Sequence, residues 1–200
     1  AQRLQKRGLG AIRHAAISKP STWLPLFWQQ SSSRTDIRYT SSSYFERGIR
    51  KYRLTWETPT GSITGVIALN PEDYSAFVTT PAPEEYPIKK PSDWRVINYF
   101  IKDVLDNLEP NYQEFEVAEK EIGDNGVPIA FISLTAWQCA WMYLAGPERA
   151  VIDFHEQFDE VQEYIELVRL WHARIAEIAA GCPAKFIDIA ENITDMTSPT

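Results

Sequence analysis

The run Val127-Pro128-Ile129-Ala130-Phe131-Ile132 decides the fold. It is apolar throughout, with Asp124-Asn125-Gly126 before it and Ser133 after it. That pattern suits a strand buried on both faces, as strands of parallel sheets are. A second run of the same kind, Phe186-Ile187-Asp188-Ile189-Ala190, lies beyond Pro183. Between the two, from about Phe154 to Ala180, the apolar residues Phe158, Val161, Ile165, Val168, Ile175 and Ala179 step by three, four and seven. This is the spacing of a helix packed on a sheet, and Gly181 closes it. Strand, helix, strand in this order is a βαβ unit, and such units build parallel sheets or barrels. The fold class read from the pattern is α/β.

Upstream, Ser92 is placed to cap a helix whose apolar face is Trp94, Ile97, Ile101, Val104, Leu105 and Leu108. Pro110 suits the first position of a second helix, where its missing N–H costs nothing, and Gly123 ends it. Pro81, Pro83, Pro87 and Pro91 keep their stretch extended, which makes it the natural internal boundary. Residues 1–91 form an amino-terminal helix, strand and hairpin region, and 92–200 hold the βα units, the whole read as one domain. Tyr52 to Trp56 and Ile63 to Leu69 are β-rich, and Thr58-Pro59-Thr60-Gly61 joins them as a hairpin. Residues 3–18 read as a helix ended by Lys19-Pro20, and Trp23 to Trp28 as a short strand. Residues 29–43, with six serines, read as a surface loop.

With 200 residues, 44% of them hydrophobic and seven of them Trp, the chain is neither a disordered tail nor a coiled coil. No run of 18 apolar residues occurs, so no membrane-spanning helix is expected. Two cysteines without a CxxC pair point to a reduced, cytoplasmic setting. A sequence pI near 5.1 argues against a nucleic-acid partner. Charge is nevertheless divided along the chain, at +8 over residues 1–60 and −15 over the remainder. Either the basic segment neutralises an acidic body, or its Arg and Lys residues hold an anionic substrate near a cleft. The acid-free stretch 1–20 also has the composition of a transit peptide.

No phosphate loop, dinucleotide fingerprint, zinc motif or nucleophile elbow is present. In parallel βα architecture, functional groups gather where strands give way to loops. Those places are Ser133 to Gln138 and Glu191 to Asp195. There Glu191 and Asp195 are candidate catalytic carboxylates and Asn192 a binding group, although Thr194 and Asp195 equally suit a turn. Trp137, four residues from Trp141, offers an aromatic wall, a role that competes with core filling. Asp188 lies inside a strand run and needs a hydrogen-bonding partner if buried. His172 falls on the apolar side of its helix and reads as a packing residue. His14 and His155 have no evident partner.

Several segments together resemble the uroporphyrinogen decarboxylase superfamily, which includes corrinoid-dependent methyltransferases. They are Glu57-Thr58-Pro59-Thr60-Gly61-Ser62, Ile88-Lys89-Lys90-Pro91-Ser92-Asp93-Trp94, Gly123-Asp124-Asn125-Gly126, Leu144-Ala145-Gly146-Pro147-Glu148, and Ile189-Ala190-Glu191-Asn192 followed by Thr197-Ser198-Pro199. The resemblance implies a (β/α)8 TIM-type barrel with its active site at the carboxyl ends of the strands. Such a barrel takes about 250 residues. The expectation is therefore the amino-terminal portion of one, truncated at its carboxyl end and carrying an antiparallel hairpin before the βα units. Ser198-Pro199 has the form of a helix opening.

The tetrapyrrole decarboxylase carries two arginines in its substrate-binding segment. The similar stretch here offers Arg34, with Gln30 near the other position, and its catalytic aspartate has no counterpart. The hairpin resembles the methyltransferase-like members instead. The resemblance thus implies methyl transfer to or from a small molecule with a corrinoid protein as partner. Decarboxylation of a tetrapyrrole or other carboxylate is the alternative, and a non-catalytic binding or assembly protein, a homo-oligomer or other partner chain covering its open sheet edge, is the third reading. Methyltransferase members hold zinc through a His and cysteines late in the barrel. Cys139 and Cys182 do not match that pattern, so zinc and a corrinoid would belong to a longer protein.

Overall fold

The computed structural model of the chain describes residues 10–19, 36–69, 82–132 and 134–189. The described residues fall into two compact units interleaved in sequence. Residues 10–19, 107–132, 134–135 and 169–189 form the first, and 36–69, 82–106 and 136–168 the second. The architecture is mixed α/β, and its sheets do not close into a barrel among the described residues.

The first unit is built on strand β8 (Gly126–Ile132), which lies between β1 (Ala11–Ala15) and β9 (Ile187–Ile189) and runs parallel to both. Ala130 faces Ala15 on one side and Ile187 on the other, and Ala130, Phe131 and Ile132 are buried. The apolar runs at 127 and 186 are thus adjacent parallel strands, but the second is an edge strand and not buried on both faces, with Ile187 and Ile189 50% and 56% exposed.

The helix expected over residues 3–18 is not formed where the chain is described. Ala11–Ala15 is a strand and Ser18–Lys19 (β2) pairs antiparallel with Glu109–Pro110 (β7). Helix propensity separates ordinary residues by at most about 0.7 kcal/mol each, less than one lost ladder bond, so pairing with β8 decides the backbone. Pro110 likewise does not open a helix. It sits in β7, and helix α2 (Gln113–Ile122) starts after Asn111, whose Oδ1 accepts the Gln113 N–H at 3.2 Å. Gly123, at φ +51, ends α2 as expected.

The second unit holds the antiparallel sheet β3-β4-β5-β6. Its strands are Arg38–Glu46 (β3), Ile49–Thr58 (β4), Gly61–Leu69 (β5) and Ala82–Glu85 (β6). The β4–β5 hairpin turns at Pro59-Thr60 as its sequence predicts, and Thr60 Oγ1 donates to the Arg95 carbonyl at 3.1 Å. The serine-rich stretch is not all loop: Arg38 to Ser43 pair with Glu57 to Tyr52. Arg47 and Gly48, both at positive φ, give β3 and β4 the two-residue turn that matches sheet twist.

Helix α1 (Trp94–Asp106) packs on β4 and β5. The predicted face is the buried one, with Trp94, Ile97, Ile101, Val104 and Leu108 inside and Leu105 half-buried. Its cap is not Ser92. The Asp93 carboxylate accepts the N–H groups of Lys89 and Lys90 at 2.9 and 3.1 Å, closing the 3-10 turn Pro91–Asp93.

The single helix expected from 154 to 180 is two. After α3 (Ala136–Cys139) and a π-helical turn, Ala140–Leu144, come α4 (Gly146–Glu156) and α5 (Asp159–Ala180). Gln157, in the left-handed region at φ +53, separates them.

Candidate functional site

Because β1, β8 and β9 run in one direction, the chain leaves all three at the same edge of the sheet, after Ala15, Ile132 and Ile189. In open parallel sheets ligands bind beyond this carboxyl edge. The two faces behind it differ. On one, Ala15 and Ala130 are wholly buried and Arg13 pairs with Glu121 of α2, which covers β1 and β8.

On the other face His14 and Asp188 meet across β8. Register places His14 beside Ile129 and Asp188 beside Phe131, so alternation puts all four on one side. His14 Nε2 lies 3.0 Å from Asp188 Oδ2, and its ring stands 5.1 Å from that of Phe131, tilted by 50°. The two polar side chains are 44% and 42% exposed, so the pair is reached by solvent over an apolar floor. A carboxylate this close to Nε2 favours the imidazole form with its proton on that nitrogen. An exposed pair of this kind adds at most about 1 kcal/mol to stability.

Asp188, which in the sequence needs a hydrogen-bonding partner only if buried, is 42% exposed and stands beside His14. Only the register through β8 joins it to His14, which local patterning assigns to a helix.

Of the other residues singled out, Gln30, Arg34, Glu191, Asn192 and Asp195 lie outside the described residues, as does the expected strand from Trp23 to Trp28. Glu191 follows β9 by two positions in sequence. Trp137 lies in α3 in the second unit, half-buried, with its ring 5.0 Å from Phe154. Phe154 in turn stands against Trp94 and Tyr164. Trp137 is thus a member of an aromatic cluster. His172 packs edge-on to Trp171, with ring centroids 5.1 Å apart, and His155 is exposed at the end of α4.

Two concavities lie away from this edge. One, of about 450 Å³, runs between α1 and the start of α5, but its charges are matched internally as Arg95–Glu160 and Lys102–Glu163. The other, of about 120 Å³, lies at the amino-terminal end of β8 beside Gly126 and Pro183. The first also meets Asp159, and the second Glu119 and Lys185, charges that have no ion-pair partner among the described residues.

The described residues do not fit the zinc set that the family resemblance implies. Cys139 is buried in α3, Cys182 is half-buried after α5, and no group of three or more His, Cys, Asp or Glu side chains is gathered among the described residues. No described helix is long and apolar enough to cross a membrane.

No family model, no curated protein and no solved structure matches this chain.

Proposed function

We propose that the chain is an enzyme of the uroporphyrinogen-decarboxylase-like kind, built on part of a (β/α) barrel and most akin to its methyltransferase members. It moves a methyl group between a small molecule and a corrinoid carried by a partner protein. The observation that carries this reading is the strand order β1-β8-β9. Each parallel strand is added beside its predecessor in chain order, as barrel strands are, whereas a doubly wound sheet reverses direction at a switch point. The antiparallel β4–β5 hairpin stands between the first and second of these strands in sequence, as the resemblance implies.

Within this reading the small molecule sits beyond the carboxyl edge. Glu191 and Asp195 handle protons or hydroxyls there, Asn192 and Gln30 bind polar groups, and Arg34 pairs with an anionic group.

The test is an assay of methyl transfer from methylcobalamin to small thiols and alcohols, run beside an assay of uroporphyrinogen decarboxylation. Cobalamin demethylation by the wild type, reduced at least about 100-fold by Glu191→Gln, is the expected result. Decarboxylation without demethylation would replace the methyl-transfer reading, and turnover in neither assay would remove the enzymatic one.

A further inference from the structure

We infer that His14 is the general base of the carboxyl-edge site and that Asp188 is its positioning residue. This deepens the methyl-transfer reading and rests on it for the reaction, though not for the geometry.

Three observations converge. First, a His and an Asp interrupt the two short outer strands of a parallel sheet on the same face, where apolar residues are the rule. Secondly, α2 packs on β1 and β8 from the face that carries Arg13 and Ala15, and the pair stands on the other face, half exposed. Thirdly, Nε2 lies 3.0 Å from Oδ2, and a carboxylate oxygen that close disfavours a lone pair on Nε2 and so favours the ring with its proton there. In the neutral ring that leaves Nδ1 with its lone pair, which is what a base requires. The arrangement has the logic of a catalytic dyad, in which the carboxylate selects the tautomer and stabilises the imidazolium that forms.

The chemistry it fits is deprotonation of a small acceptor bearing S–H or O–H that reaches the exposed side of His14. The X–H bond breaks, its proton goes to Nδ1 and its electron pair stays on X. That pair forms the new bond to the methyl carbon as the bond from carbon to the donor breaks, and the electrons of that bond leave with the donor. His14 then returns the proton to water.

Two measurements test this. Nitrogen NMR of the histidine side chains at about pH 9, where a free imidazole is neutral, should show His14 protonated on Nε2. Asp188→Asn should abolish that preference, and a His14 ring protonated on Nδ1 in the wild type would overturn the inference whatever the enzyme does. In the assay with methylcobalamin, 2-mercaptoethanol and methanol serve separately as probes of S–H and O–H acceptors. His14→Ala should lower kcat by about 100-fold or more with little change in KM, and added imidazole should restore part of it. An active wild type with an equally active His14→Ala defeats the base while leaving the methyl-transfer reading intact. A wild type inert to both acceptors defeats that reading, and the tautomer alone then decides the dyad.

Discussion

The Trp94 indole N–H donates to Asp153 Oδ2 at 2.8 Å, with both residues fully shielded from solvent. Arg149, one helical turn before Asp153 on α4, donates to the same carboxylate through Nε at 3.0 Å and also through its Nη2. A buried carboxylate needs this satisfaction on every side, since an uncompensated charge in an apolar interior costs several kcal/mol. Trp94→Phe should therefore destabilise the protein by about 2 kcal/mol, the value of a hydrogen bond to a charged group, with some further loss from volume. Urea unfolding should show a lower midpoint at unchanged slope. A loss under about 0.5 kcal/mol would mean that the bond contributes nothing.

Gly146 begins α4 at φ +76, and a Cβ built there would approach the Tyr86 ring to 2.6 Å. Both backbone conformation and space demand glycine. Gly146→Ala should cost about 1–3 kcal/mol, and Tyr86→Ala should relieve the steric part only. Thermal melts of the single and double variants measure this, with a non-additive double variant expected because the two residues touch.

These two sites show what the residues alone disclose. Trp94 is legible as the first apolar position of α1, and the Val127 to Ile132 run as a buried strand, because each is set by local periodicity. The break at Gln157 is not legible, since the left-handed residue that usually marks a helix end is Gly and here it is Gln. The same holds for β1. Ala-Ile-Arg-His-Ala has no strand pattern of its own and becomes a strand through its ladder to β8. The His14–Asp188 pair inherits that opacity, because a contact between β1 and β9 follows only from the position of β8 between them. Glu191 and Asp195, by contrast, are candidates in the sequence only because they follow a buried strand run.

The cysteines should differ in reactivity. Burial raises the Cys182 thiol above its ordinary range, a backbone N–H at Ala184 partly offsets this, and Glu119 adds to the rise. Since the thiolate is the nucleophile, less of it exists at a given pH than in a free thiol. Iodoacetamide at about pH 8 should alkylate Cys182 more slowly than glutathione, and Cys139, fully enclosed, only after unfolding. Glu119→Gln should speed Cys182 modestly. Mass spectrometry of the labelled peptides reads all three, and rapid labelling of Cys139 in the native protein would contradict its burial.

The acid limb of stability should depend on Glu163. The Lys102 ammonium bonded to it lowers its carboxyl below the ordinary Glu range; partial desolvation opposes this, and the Asn98 amide at 2.9 Å lowers it further. A depressed folded value means that the pair stabilises the protein above the unfolded carboxyl's titration, near pH 4.3. That contribution is lost as pH falls through the folded value. With both side chains nearly half exposed, its size is a few tenths to about 1 kcal/mol. Glu163→Gln should thus lower Tm at neutral pH, with the gap to wild type shrinking as pH drops below about 4. Lys102→Met should produce the same convergence, and about 0.5 M salt should reduce the gap at pH 7. A gap that stays constant from neutral pH to about pH 3 would show that Glu163 acts through packing and not through its charge.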